Sequence, residues 1–221
     1  MFLEQIVAII PDLNKAFSET FLMMSISVVL SAVFGIPLGI LLFVTDNELL
    51  AENRWINRIA GFVVNVIRST PFVILLVALI PLTSIVAGTI VGPKAATVPL
   101  AVAAIPFYAR LVESSLKEIN KGVIEAAIAM GSTLWHIIFK ILLVEARSGL
   151  ILGLTVTTIS LLGFSAMAGI VGGGGIGDLA IRFGYYRFDN VIMFTTVVIL
   201  IVIVQVIQAI GDKLAKRLDK R

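Results

Sequence analysis

Glu125–Leu143, EAAIAMGSTLWHIIFKILL, is a short, mostly apolar stretch set in a charge-bearing segment between far longer apolar runs. The alanines and aliphatics of Gly122–Met130 suit one short helix. Gly131 can end that helix, because glycine accepts the left-handed cap conformation. Ser132 then stands where a cap for a second helix belongs, running through Trp135, Ile138 and Ile141. Two short helices joined at a glycine form a compact knob. An apolar knob outside a bilayer needs a partner to cover it.

The surroundings say that there is a bilayer. The chain has 221 residues, 59% of them hydrophobic and only 14% charged, and its mean hydropathy is +1.07. Soluble domains hold roughly 45–50% apolar residues, so most of this chain belongs in lipid. There is no cysteine and a single histidine, His136, which argues against a disulfide framework, a thiolate site or a histidine-based metal site. Residues 1–20 carry Glu4, Asp12, Lys15 and Glu19 and lack a basic start followed by an apolar core and cleavage site. They are expected to be an interfacial lead-in, not a removable signal.

Phe21–Val44 is an uncharged run of 24 residues, the first expected span. At about 1.5 Å per residue it exceeds the roughly 30 Å of a hydrocarbon core. Gly35 and Gly39 within it form a GxxxG pattern around Pro37, a signal for a close helix contact and a kink. Thr45–Asn57 is a polar loop. The second span is expected near Ile59–Pro81 and the third near Ala95–Val112. Ser148–Gly177 is the fourth apolar run, with a second GxxxG at Gly149 and Gly153. Asp178–Asp189 mixes charge with Phe183, Tyr185, Tyr186 and Phe188, as an interfacial aromatic belt does. Val191–Ile210 is the fifth span, and Gly211–Arg221 is a basic tail. The expected architecture is an all-α membrane protein of five spans forming one domain over residues 1–221.

Basic residues orient it. Arg54, Arg58, five in Arg110–Arg147, and Lys213, Lys216, Arg217, Lys220 and Arg221 lie on one side, twelve in all. Lys15, Lys94, Arg182 and Arg187 lie on the other. The positive-inside rule sends the larger set to the cytoplasm, with the N-terminus outside and the C-terminus inside. The knob then faces the cytoplasm, where ATP is. The basic charge marks topology, so the net charge of +3 does not point to nucleic acid.

Several residues admit two readings. Arg68 lies inside or near one end of the second span, where Ser69-Thr70-Pro71-Phe72 would loosen the helix. A charge at mid-bilayer costs about 2.5 kcal/mol or more, so Arg68 either snorkels or faces a solute pathway. Gly163–Gly169, GFSAMAG, suits helix packing, yet Ser165 and Met167 equally suit a narrow passage. Gly172–Gly177, GGGGIG, formally fits GxGxxG but follows a membrane helix where a nucleotide site needs a strand. Gly173, Gly174, Gly175 and Gly177 make either a flexible turn or a hinge at the external mouth. No GxxxxGK[ST] occurs, so no P-loop is present. Glu113 and Glu145 flank span ends and are expected to make ordinary interfacial contacts.

Glu125-Ala126-Ala127, then Gly131, Ile141 and Leu143, resemble the cytoplasmic EAA loop of ABC importer permeases. Asn65–Phe72 (NVIRSTPF), Gly163–Gly169 and Gly173–Gly177 (GGGIG) resemble, in the same order, the methionine-importing permeases of that superfamily. The resemblance covers roughly Ile40 to the C-terminus, with Val144 where the family pattern has proline. It implies the type I importer permease fold and coupling to an ATPase through Glu125, Ala126, Ala127, Gly131, Ile141 and Leu143. It also implies a homodimer in the inner membrane, two ATP-binding cassette subunits and an external substrate-binding protein. ATP and Mg would sit on the ATPase, with no cofactor or catalytic residue on this chain. Rival readings are a permease for another amino acid, phosphonate or betaine, or a stand-alone secondary transporter. Secondary transporters often carry coupling acids within their spans, and no acid is expected well inside these.

Overall fold

The computed structural model describes residues 2–219, with side chains from residue 9. Glu4 and the basic residues Lys220 and Arg221 therefore fall outside the described side chains. Every regular element among the described residues is helical. Four helices there are long and apolar enough to cross a membrane, or five if one bent pair counts as a single span.

The first helix, α1, runs Phe2–Asp46 without interruption through Pro11 and Pro37. Its 45 residues span about 67 Å at 1.5 Å each. The expected lead-in is thus the same helix as the first span. Its inner face explains the continuity: Ala16 and Thr20 are buried against later elements instead of lying on a lipid surface.

The second span departs further from expectation. It splits into α2, Arg54–Ser69, and α3, Phe72–Ala78, bent by 106°. Thr70 is held extended at φ −82, ψ 124, because the Pro71 ring excludes the helical conformation from the residue before it. α2 is also amphipathic. Arg54, Asn57, Gly61, Asn65 and Arg68 recur every three or four residues and make one polar stripe. Trp55, Ile59, Phe62, Val63 and Val66 are exposed on its other faces. A further short helix, α4, Ile80–Ala87, ends at left-handed Gly88 and leads to the third span.

That third span, α5, Pro93–Lys117, is the packing centre. Both GxxxG patterns close on it. A Cβ on Gly39 would lie 2.6 Å from the Ala109 carbonyl oxygen, and one on Gly149 would lie 2.7 Å from Ser115 Oγ. The buried Tyr108 hydroxyl donates to the Leu150 carbonyl at 3.0 Å, tying α5 to α9, Arg147–Ala168. Backbones brought this near gain dispersion contacts that larger residues would prevent, the usual source of helix association in lipid. α11, Asn190–Leu218, packs on α9, where Gly211 meets the Thr155 side chain.

Candidate functional site

The segment around Glu125 folds as a knob. Its first helix, α6, Lys121–Ala129, is capped by Asn120, whose Oδ1 accepts from Gly122 N at 2.9 Å. Gly131 takes φ +76. Its N–H donates to the Ile128 carbonyl at 2.8 Å, and the Ser132 N–H donates to the Ala127 carbonyl at 3.0 Å. These paired bonds are a Schellman stop, which satisfies two of the carbonyls a helix end leaves open. The second helix is capped by Thr133, not by Ser132. Thr133 Oγ1 accepts from His136 N at 3.4 Å, while the Ser132 amide is already committed to the stop.

The second helix begins as α7, Leu134–His136, widens into a π-helical turn, Ile137–Leu142, and closes as α8, Leu143–Glu145. The wide turn brings Ile137, Ile138 and Leu142 together into the core with Ile124 and Ala127. π-turns are rare and concentrate at functional positions.

The residues singled out from sequence divide by exposure. Glu125, Ala126 and Gly131 are exposed, Ala127 is buried, and Ile141 and Leu143 are half-buried. The last three support the knob from beneath. The outer surface also carries large apolar side chains: Met130 is 78% exposed and Trp135 69%, and Ile128 and Phe139 are exposed too. Trp135 and Phe139 stack at 5.8 Å. The i, i+4 spacing of these two aromatics was readable, but the face they occupy depends on the π-turn.

Glu113 is not an ordinary interfacial acid. It is buried, and its two oxygens bind Arg110 at 2.7 Å and Lys117 at 2.8 Å. Lys117 also binds Asp46 at 2.9 Å, at the end of α1. Arg147 Nε donates to the Leu218 carbonyl at 2.8 Å. The ends of α1, α5 and α11 and the start of α9 therefore gather beside the knob, and the larger set of basic residues gathers with them.

Of the pathway candidates, Arg68 is exposed at the end of α2, its guanidinium 5.9 Å from the Phe107 ring centroid. Phe72, just past the bend, stacks on Phe164 of α9 at 4.7 Å. Met167, one turn along, is exposed. Ser165 is buried, and its hydroxyl donates to the Leu162 carbonyl at 2.7 Å.

At the opposite end, the glycine run is a packed hairpin. The chain leaves α9 through a 3₁₀ turn, Gly169–Val171, and re-enters as α10, Gly175–Leu179, with a π-turn, Ala180–Tyr185. Gly177 sits against Ala166, and a Cβ on Gly173 would lie 2.7 Å from the Ala168 carbonyl oxygen. Gly174 and Gly175 take φ +77 and +85. Glu19 Oε2 accepts from Gly175 N at 2.8 Å, and Thr20 Oγ1 accepts from Ile176 N at 2.9 Å. Asp178, expected at the edge of an aromatic belt, is buried inside this hairpin and pairs with Arg182 at 2.7 Å. Tyr185, Tyr186 and Phe188 are exposed.

Among the described residues, no group of three or more metal-ligating side chains assembles. The arrangement offers an exposed apolar surface at one end, a bent helix pair and a glycine-packed hairpin at the other end.

Known proteins share this arrangement. The probable D-methionine transport system permease protein MetI of Vibrio cholerae is 51% identical over 203 residues, covering 92% of this chain and 90% of that protein. The methionine import system permease protein MetP of Bacillus subtilis is 46% identical over 181 residues, 82% of each chain. A chain from the inward-facing MetNI methionine ABC transporter superposes with a TM-score of 0.93 at 41% identity, covering 96% of this chain and 99% of that one. An amino acid ABC transporter chain at 18% identity reaches 0.81, which speaks to the fold alone. The profile described as "Binding-protein-dependent transport system inner membrane component" matches residues 35–221. With most of its length inside that profile and these relatives on either side, the chain belongs to the family of inner-membrane components of binding-protein-dependent transport systems.

Proposed function

We propose that this chain is the translocation subunit of an ABC importer that passes methionine into the cytoplasm. The carrying observation is the knob, a rigidly capped helix pair with an exposed apolar crest of Met130, Trp135 and Phe139. Such a surface outside lipid calls for a protein partner. An ATP-binding cassette subunit, holding ATP and Mg, supplies it. The methionine assignment rests on the substrates in the names of relatives that match most of the chain.

The working unit is a homodimer with two ATPase subunits and an external binding protein. The basic end faces the cytoplasm, with the N-terminus outside. Residues 1–221 act as one transmembrane domain. Glu125, Ala126 and Gly131 form the docking contact, and Ala127, Ile141 and Leu143 brace it. When ATP closes the ATPase pair, the knobs approach, and the buried seam of Ile124, Ala127, Ile138 and Leu142 carries that motion into α1 and α5. The pathway then alternates between the two sides by rigid-body rocking. Arg68 and Met167, with Ser165 behind them, border the pathway. Gly173, Gly174, Gly175 and Gly177 form the hinge at its external mouth.

The test is uptake of labelled methionine into vesicles holding this chain, its ATPase and its binding protein. ATP-dependent uptake that Gly131→Trp abolishes is the expected result. ATP turnover without methionine movement would reassign the solute. Uptake without the ATPase would establish a stand-alone carrier.

A further inference from the structure

Part of the polar stripe of α2 is turned toward α1 and α5. Asn57 Nδ2 donates to the Leu42 carbonyl at 2.8 Å and to Thr45 Oγ1 at 3.2 Å, both on α1. Two turns later, Arg110 of α5 reaches across. Its Nη2 donates to Asn65 Oδ1 at 3.0 Å and to the Gly61 carbonyl at 3.4 Å. The Arg110 guanidinium lies directly over Gly61, where an added Cβ would make only ordinary contact with Nη2 at 3.4 Å.

The two sides of this contact differ in strength. On α5, Arg110 Nη1 holds the buried Glu113 at 2.7 Å, a charge-assisted bond. Glu113 keeps Lys117 on its other oxygen. On α2, the acceptors are neutral, one bond is long, and Asn65 is exposed, so water can take its place. Arg110 Nε is buried with no hydrogen-bond partner. The guanidinium is held by an ionic partner on α5 and by neutral acceptors alone on α2.

We propose that Arg110 is a positioning residue for transport: a releasable latch that seats α2 on α5 and makes the bent segment follow the coupling end. Lys117 and Asp46 continue the same ion-pair chain to the foot of the knob. Motion of the knob thereby reaches α2, and through it the bend beside Arg68, without a new contact forming. This inference rests on the transporter reading for its consequence and on geometry for its existence.

Two readouts separate those. The chain lacks cysteine, so spin labels at Phe62→Cys on α2 and Val198→Cys on α11 report where α2 sits, independently of any solute. With the latch, Asn65→Ala and Arg110→Lys each broaden the label distance distribution, and Asn65→Asp narrows it by adding an ionic partner. In vesicles with ATPase and binding protein, Asn65→Ala and Arg110→Lys keep ATP hydrolysis but lower solute moved per ATP about fivefold. Asn65→Asp slows hydrolysis and uptake together about threefold. Unchanged distances in all three variants would overturn the latch. Altered distances with an unchanged solute-to-ATP ratio would overturn its role in transport. If the unmutated complex moves no solute with ATP, the transporter reading fails, while the distances still decide the contact.

Discussion

The knob at residues 121–145 and the hairpin at residues 169–185 are both short helices turned around glycine, and they are built in opposite ways. Every bond that stops and starts the knob's helices comes from within it or from the residue just before it: Asn120, Ala127, Ile128 and Thr133 supply the acceptors. Nothing lies within 4 Å of a Cβ placed on Gly131. The hairpin is capped by Glu19 and Thr20, 156 residues away in sequence. Its glycines are pressed against other backbone and side chains. Glycine serves conformation alone in the first, and both conformation and proximity in the second. A locally built element can move as a unit and offer its surface to a partner, whereas one built by remote contacts holds its neighbours in register.

The sharpest way to break this contrast is to add bulk to both glycines. Gly177→Leu drives a side chain into Ala166, and overpacking of this kind costs about 3 kcal/mol or more. Membrane-inserted protein should fall at least tenfold, read by size-exclusion yield in detergent. Gly131→Ala meets no neighbour and bears only the left-handed strain of about 1–2 kcal/mol. Thermal unfolding in detergent should register a small drop, with normal yield. Equal losses in the two variants would erase the distinction.

Between these extremes lie the caps. Thr20→Val keeps shape but strands the Ile176 N–H in a buried site, at a cost of about 1–3 kcal/mol. Thr133→Val leaves an exposed amide that water can satisfy, and its cost should stay within about 1 kcal/mol. Comparing the two melting temperatures sharpens the claim that the hairpin depends on remote caps.

The smallest stability effect is expected at the knob's crest. Met130 is exposed, so Met130→Asp should leave the melting temperature within experimental error. Its consequence lies in assembly. A charge placed at the centre of an apolar interface should weaken copurification of the ATPase at least tenfold, about 1.4 kcal/mol. Normal recovery of the ATPase would remove Met130 from the docking face.

Much of this was legible in the chain. The apolar runs, the sorting of basic residues to two ends and the glycine stop at Gly131 all follow from short-range rules. So did the loosening at Thr70-Pro71, though not its consequence. α2 was read as one half of an apolar span because hydropathy averages over faces. The recurrence of Arg54, Asn57, Asn65 and Arg68 was present in the sequence and carried the correct signal. Arg110 and Lys117 stand at i−3 and i+4 from Glu113 and were readable as partners, but no window along the chain contains the Gly61 carbonyl that Arg110 reaches or the Asp46 that Lys117 binds.

By itself, then, the sequence determined an all-helical membrane chain, its basic end and a glycine-stopped knob. Helix stops, hydropathy and charge bias are properties of neighbouring residues, and neighbours are what a sequence lists. The tertiary structure decided that α5 is the centre, that α2 hangs on it through Arg110, and that Glu19 and Thr20 close the hairpin. Those outcomes depend on which backbones come close enough for glycine to matter and on which polar groups meet away from water. Both are set by packing between residues far apart along the chain.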